Sequence, residues 1–125
     1  MSEATVPKIM IVDDDRATST LLRTLFQIEG YEGLICPRPE DVLQMIEQAQ
    51  PDLVLMDVHL ADVDAVNILA AIRVDRVISQ VPVIMTSGMD VEQKCLAAGA
   101  SAFLLKPFRP SELMNLIRQQ LVAAA

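Results

Sequence analysis

The sequence predicts one α/β domain, a doubly wound parallel sheet with helices on both faces. Three observations predict it. Five short, continuous apolar runs recur along the 125 residues. Segments whose apolar residues fall three and four apart separate those runs. Four of the five runs also end on polar residues of chemical interest, as expected where strands point at a shared edge.

The elements follow in order. Lys8–Val12 is a strand buried on both faces, because its residues are apolar without alternation. Leu21, Leu22, Leu25 and Phe26 share one face of a first helix. Gly33–Cys36 is the weakest apolar run and the second strand. Val42, Leu43, Ile46 and Ala49 repeat the helical spacing. Leu53–Met56 is the third strand. Val66, Leu69, Ile72 and Arg73 mark a third helix, its last inner position polar. Pro82–Met85 is the fourth strand. A short helix lies between Val91 and Ala98, with Gly99 as its stop. Ala102–Leu105 is the fifth strand. Leu113, Leu116, Ile117 and Leu121 give the last helix, introduced by Pro110 and Ser111, with Ser111 expected as N-cap. The tail Val122–Ala125 reads as a frayed helix end or the start of a linker. Right-handed crossovers turn five βα units into the flavodoxin-like (βα)5 fold, strand order 2-1-3-4-5. Residues 1–125 form a single domain, its core spanning about 7–122.

Composition narrows the function. Hydrophobic residues at 52% and charged residues at 22% fit a globular chain and not a disordered one. No apolar run approaches the ~20 residues of a membrane helix, so no membrane insertion is expected. Met1–Lys8 lacks the basic start and apolar stretch of a signal peptide. Two cysteines, Cys36 and Cys95, have no metal-ligand spacing and fit reduced thiols in the cytoplasm. A net charge of −7 leaves no basic footprint, so direct nucleic-acid binding is not expected.

The chemistry lies at the carboxyl ends of the strands. The first strand runs into Asp13-Asp14-Asp15, the third into Asp57, the fourth into Thr86-Ser87-Gly88 and the fifth into Lys106-Pro107. Carboxylates gathered together repel unless a cation joins them or some pKa values rise. Hard oxygens suit Mg²⁺ or Mn²⁺. A nucleophilic carboxylate, a divalent cation, an ammonium and a hydroxyl are what phosphoryl transfer to an aspartate requires.

On these residues the chain resembles the receiver domain of two-component response regulators. The pieces are Ile11-Val12-Asp13-Asp14-Asp15, Leu55-Met56-Asp57, Pro82–Gly88, Ala98-Gly99-Ala100 and Phe103–Phe108. The resemblance covers essentially the whole chain, and the combination in this order is specific. It implies that Asp57 accepts the phosphoryl group from a histidine kinase or phosphotransfer protein. It implies that Asp13 and Asp14 hold Mg²⁺, one directly and one through water, with the backbone carbonyl of His59 as a further ligand. Lys106 matches the phosphate-binding lysine, Ser87 the switch hydroxyl (with Thr86 as its competitor) and Phe103 the switch aromatic. Lys106-Pro107 matches a bond usually cis in the family. Output passes to a downstream effector, or to a homodimer, through the fourth helix, fifth strand and fifth helix. The chain is then a signalling phosphoacceptor that catalyses only its own phosphorylation and dephosphorylation. Asp15 reads as a turn residue, and His59 and Met89 as positions beside the site.

Three features depart from the pattern. Ala61 and Ala65 stand where the family usually has Pro and Gly, extra acids occur at Asp62 and Asp64, and the segment from Ser87 to Gly99 is about one helical turn short. Two other readings remain. A haloacid-dehalogenase-type phosphatase also opens with D-x-D after its first strand, which Asp13-Asp14-Asp15 fits, although Ala17 stands where Thr or Val is expected. A degenerate receiver acting as a fixed binding module is the third, against which stand the filled chemical positions.

Overall fold

The computed structural model describes residues 6–124. In chain order the elements are β1 (Lys8–Val12), α1 (Arg16–Ile28), β2 (Glu32–Cys36), α2 (Val42–Ala49), β3 (Leu53–Asp57), β4 (His59–Leu60), β5 (Val63–Asp64), α3 (Ala65–Val74), β6 (Val83–Ser87), α4 (Glu92–Ala97), β7 (Ala102–Leu105) and α5 (Pro110–Ala124). A 3-10 turn, Pro39–Asp41, leads into α2. The main sheet has the order β2-β1-β3-β6-β7, with every pairing parallel. This is the expected 2-1-3-4-5 winding. The strands β4 and β5 form a separate antiparallel hairpin that the apolar pattern does not announce.

Alternation along the strands builds two cores. Ile9, Ile11, Leu53, Leu55 and Ile84 point to one side, where Phe26 of α1 and Leu113, Met114 and Ile117 of α5 cover them. Met10, Val12, Val54, Met56, Val83 and Met85 point to the other, against Val42 and Ile46 of α2, Leu69 and Ile72 of α3 and Cys95 of α4. Each of these large side chains contributes about 1.5–3 kcal/mol by leaving water. The central strands β1, β3 and β6 are buried on both faces, which is why their sequences lack polar alternation. The edge strand β2 is only half-buried and has the weaker apolar run.

Helix ends correct one expectation. The helix α5 begins at Pro110, so Ser111 lies inside the first turn and is not the N-cap. Pro at the first helical position needs no N–H partner and has its φ already set. The exposed N–H that remains, on Arg109, donates to Glu112 Oε1 at 3.0 Å, the return half of a capping box. The helix α4 has six residues and stops at Gly99, whose φ of +108° is open to glycine. Val122–Ala124 are helical, while Ala125 and residues 1–5 lie outside the described residues. Among the described residues no helix is long and apolar enough to cross a membrane. Both cysteines are free and buried.

The polar residue on the inner face of α3 has a structural reason. Arg73 donates from Nε to the Gly99 carbonyl at 2.8 Å and from Nη1 to the carbonyls of Ser79 and Val81 at 2.9 and 2.6 Å. The guanidinium clasps two loops, the one before β6 and the one before β7, at the end of the sheet opposite the carboxyl edge. Burial alone pulls its pKa down from the usual arginine value. Replacing Arg73 by Met should cost about 2–3 kcal/mol in urea unfolding, since three carbonyls lose a charged donor. A change within a few tenths would show that the clasp is incidental.

Candidate functional site

The carboxyl edge of the sheet gathers the acids. Val12 is buried in β1, and the chain then leaves the sheet at Asp13, only 8% exposed. Asp13 Oδ1 accepts the Asp15 N–H at 2.9 Å, which turns the backbone. Asp15 caps α1, accepting from the Ala17 N–H and the Thr18 hydroxyl. The Thr18 hydroxyl is the main reason the Asp15 carboxyl sits below its ordinary pKa. Asp13 goes the other way. Burial raises its pKa above 3.8, and the nearby Asp57 and Asp14 add to the rise, while the Asp15 N–H and Lys106 oppose it.

Asp57 ends β3 and is half-buried. Its Oδ1 accepts the His59 N–H at 3.1 Å, and its Oδ2 accepts from Lys106 Nζ at 2.8 Å. The same ammonium is 3.8 Å from Asp13 Oδ2. One cation therefore stands between two carboxylates, and the cluster stays net negative even before Asp14 is counted. The Lys106–Pro107 bond is cis. The Lys106 N–H donates to the Ser87 carbonyl at 2.8 Å, which ties this lysine to the end of β6.

Asp14 is exposed and reaches the other way. Its Oδ2 accepts the Ala61 N–H at 2.7 Å, which brings the β4–β5 hairpin to the site. The pairs His59↔Asp64 and Leu60↔Val63 leave Ala61 and Asp62 as a two-residue loop, with Ala61 at φ +53°. Hairpins of this length favour a positive φ there. Leu60 is buried and anchors the hairpin, and Ala65, fully buried, opens α3. Asp64 caps α3 by accepting the Val66 N–H at 2.9 Å and pairs with Lys94 of α4 at 3.1 Å. The Val66 N–H is the chief cause of its lowered pKa.

The two hydroxyls separate. Thr86 lies opposite Asp57 in the strand register and faces the same crevice. Ser87 is fully buried, on the Met85 side of β6 by strand alternation, and its Oγ accepts the Met89 N–H at 3.0 Å. Phe103 is half-buried, opposite Met85, and packs on the core beneath α2, α3 and α4. The crevice, about 280 Å³, runs from Asp13, Asp57 and Lys106 outward between Leu21 and Leu22 of α1 and Phe108 and Pro110.

The donor set decides what could bind. Among the described residues no three His, Cys, Asp or Glu side chains close around a common point. A dry, all-side-chain cage is thus not what is built. Mg²⁺ binds through one or two carboxylates and keeps several waters, so an open set of Asp13, Asp14 and Asp57 oxygens at a solvent edge fits it. Sequence reasoning placed Asp13, Asp14, Asp57, His59 and Lys106 at this edge. It missed the Ala61 N–H, which no side-chain signal reveals, and read Asp64 only as an extra acid, although its position before Ala65 and Val66 is a legible cap signal.

Comparisons with known proteins bear on the family and the fold. Residues 9–118 match the family described as the response regulator receiver domain. The DNA-binding response regulator MtrA of Mycolicibacterium paratuberculosis is 30% identical over 118 residues, covering 91% of this chain and 51% of that protein. The chain thus spans about half the length of the curated relatives it matches. The CheY-like receiver domain protein from Methanospirillum hungatei is similar in structure, with a TM-score of 0.87 and 29% identity over 96% of this chain and 97% of that one. The receiver domain of the sensor histidine kinase PA1611 from Pseudomonas aeruginosa, described with a magnesium ion in its active-site cleft, shares the fold at TM-score 0.83 and 23% identity, covering 94% of this chain and 98% of that one.

The raised pKa of Asp13 gives a stability prediction. Its protonated form favours the folded state, so that contribution is complete below pH 3.8 and is lost as pH rises through the raised value. At neutral pH without divalent cations, Asp13 is a buried charge that costs stability. Asp13→Asn keeps the acceptor for the Asp15 N–H and removes the charge. Its melting temperature at pH 7 in EDTA should rise by about 3–5 °C, the shift that ~1 kcal/mol produces in a domain of this size. A fall would mean that the Lys106 contact outweighs burial.

Proposed function

The chain belongs to the response regulator receiver domain family, and on that premise we propose that Asp57 accepts a phosphoryl group from a histidine kinase or a phosphotransfer protein. The observation that carries the proposal is the Lys106 Nζ–Asp57 Oδ2 contact of 2.8 Å, beside Asp13 and Asp14 at the open edge of the sheet. An Asp57 oxygen attacks phosphorus. The bond from phosphorus to the donor imidazole nitrogen breaks, and its electron pair stays with the imidazole. Lys106 neutralises charge on the transferring group and then follows the phosphoryl oxygens. Asp13, Asp14, Asp57 and the His59 carbonyl would hold Mg²⁺, with Mn²⁺ as a substitute. When bound, the ion offsets the negative charge that the transfer concentrates. The magnesium described in the PA1611 receiver supports this choice.

The switch follows from where the hydroxyl starts. The Ser87 Oγ now accepts from Met89, and turning its O–H to a phosphoryl oxygen draws in the end of β6. Phe103 repacks behind it, and the face of α4, β7 and α5 changes. This is a shift between two states. Moving such an equilibrium from 1:99 to 99:1 takes about 5.5 kcal/mol. Two hydrogen bonds to a charged group, at ~1.5–3 kcal/mol each, supply the greater part of that. Leu96 and Leu105 are exposed apolar residues on this face, suited to an effector protein or to a second copy of the chain. The charge of −7 favours protein contacts over direct nucleic-acid binding by these residues. This reading makes the chain a cytoplasmic signalling protein and not a metabolic enzyme.

Intact mass measurement after incubation with a small-molecule phosphodonor tests the proposal. One phosphoryl group should be gained, only with Mg²⁺, and none in Asp57→Asn. Lys106→Ala should slow the gain roughly 10²-fold, as loss of one charge-stabilising donor does elsewhere. No gain in the wild type favours a fixed binding module. Gain that persists in Asp57→Asn but vanishes in Asp13→Asn favours the phosphatase.

The lifetime of the phosphoryl group gives a further prediction. Neither His59 nor Met89 offers a carboxylate or amide to orient water, and both are exposed beside the site. Hydrolysis should be slow, and His59→Asn with Met89→Glu should shorten the half-life several-fold. An unchanged half-life would remove both residues from the mechanism.

A further inference from the structure

We propose that Ala61 is a positioning residue for the cation site, its backbone N–H holding the Asp14 carboxylate ready to receive the ion. This rests on the reading of the acidic edge as an Mg²⁺ site. The contact joins two distant parts of the chain, Asp14 after β1 and Ala61 at the tip of the β4–β5 hairpin, at 2.7 Å.

Asp14 is an exposed carboxylate that would otherwise rotate freely. Oδ2 is held by Ala61, and no hydrogen bond to Oδ1 is present among the described residues. A carboxylate with one oxygen anchored and the other open loses little freedom when it takes a metal. Contacts of this kind around metal ligands typically account for about 10–100-fold in affinity.

The backbone at Ala61 adopts a conformation that its Cβ disfavours, at φ +53°. Both flanks hold it there. Leu60 is buried and pairs with Val63, and the Ala65 N–H donates to the Val58 carbonyl at 2.9 Å. Asp64 caps α3 just beyond. The hairpin therefore fixes the direction of the Ala61 N–H. A proline at this position, usual in chains that the sequence resembles, has no N–H and keeps φ near −65°. It could make neither this hydrogen bond nor this turn. Glycine keeps the N–H and adopts positive φ without strain.

Mg²⁺ titration by calorimetry, with amide hydrogen exchange by nuclear magnetic resonance, tests the proposal. Ala61→Gly should bind Mg²⁺ within about twofold of the wild type, and Ala61→Pro about 10-fold or more weakly. Urea unfolding in EDTA checks that both variants fold. In the wild type, which tests the contact without any substitution, the Ala61 amide should stay protected as Mg²⁺ saturates. Ala61→Pro binding as tightly as the wild type, or the Ala61 amide losing protection when Mg²⁺ is added, would overturn the positioning role. A wild type that binds no Mg²⁺ would overturn the metal site itself, a different failure.

Discussion

Negative charge crowded at one edge of the sheet is the constraint on which the rest of this structure depends. The parallel winding β2-β1-β3-β6-β7 puts the ends of β1 and β3 side by side. Each of those ends carries aspartate. Asp13 is buried enough that its pKa rises. Among the described residues Lys106, from the end of β7, is the one ammonium that meets both Asp13 and Asp57. It offsets part of the repulsion and leaves a remainder. On the proposed function, that remainder is what draws a divalent cation and, with the cation, a phosphoryl group to the edge. On that reading stability and function oppose each other at Asp13, as is common where a site stores unfavourable electrostatics.

The same edge is mechanically connected to the rest of the domain. The Lys106 backbone is bonded to the Ser87 carbonyl, so the residue that neutralises charge and the end of β6 share a hydrogen bond. Asp64 joins the hairpin after β3 to α4 through Lys94. The pair is exposed, and its energy is small, about 0–1 kcal/mol. The short α4, six residues anchored by the buried Cys95, lies beside the proposed output face.

Much of the fold was legible because it rests on burial. Three of the five main strands lie fully inside, so their apolar runs state their positions directly, and β2 looked weak because it is a half-buried edge. What burial does not control was hidden. The β4–β5 hairpin turns at Ala61-Asp62, with no Gly or Asn-Gly to announce it, and is held by the buried Leu60 and by Asp14. The strand β6 continues two residues beyond its apolar run, carried by ladder hydrogen bonds, so the opposite facings of Thr86 and Ser87 could not be read. Arg73 resembled an interruption of the α3 stripe until its carbonyl partners were seen. Ser111 looked like a cap, but Pro110 fixes the helix start one residue earlier. At the site, the positions were legible through the convergence of strand ends, whereas the backbone donors at His59 and Ala61 were not.

On the proposed function Asp57, and no other acid at this edge, is the nucleophile. The most direct test is to phosphorylate the protein, trap the acyl phosphate by borohydride reduction and map the product by peptide mass spectrometry. An aspartyl phosphate is reduced to homoserine, so the modified position is read as a residue. Homoserine is expected at position 57, with unmodified aspartate at 13, 14 and 15. Homoserine at position 13 would contradict that assignment and make the acidic cluster after β1 the seat of the chemistry.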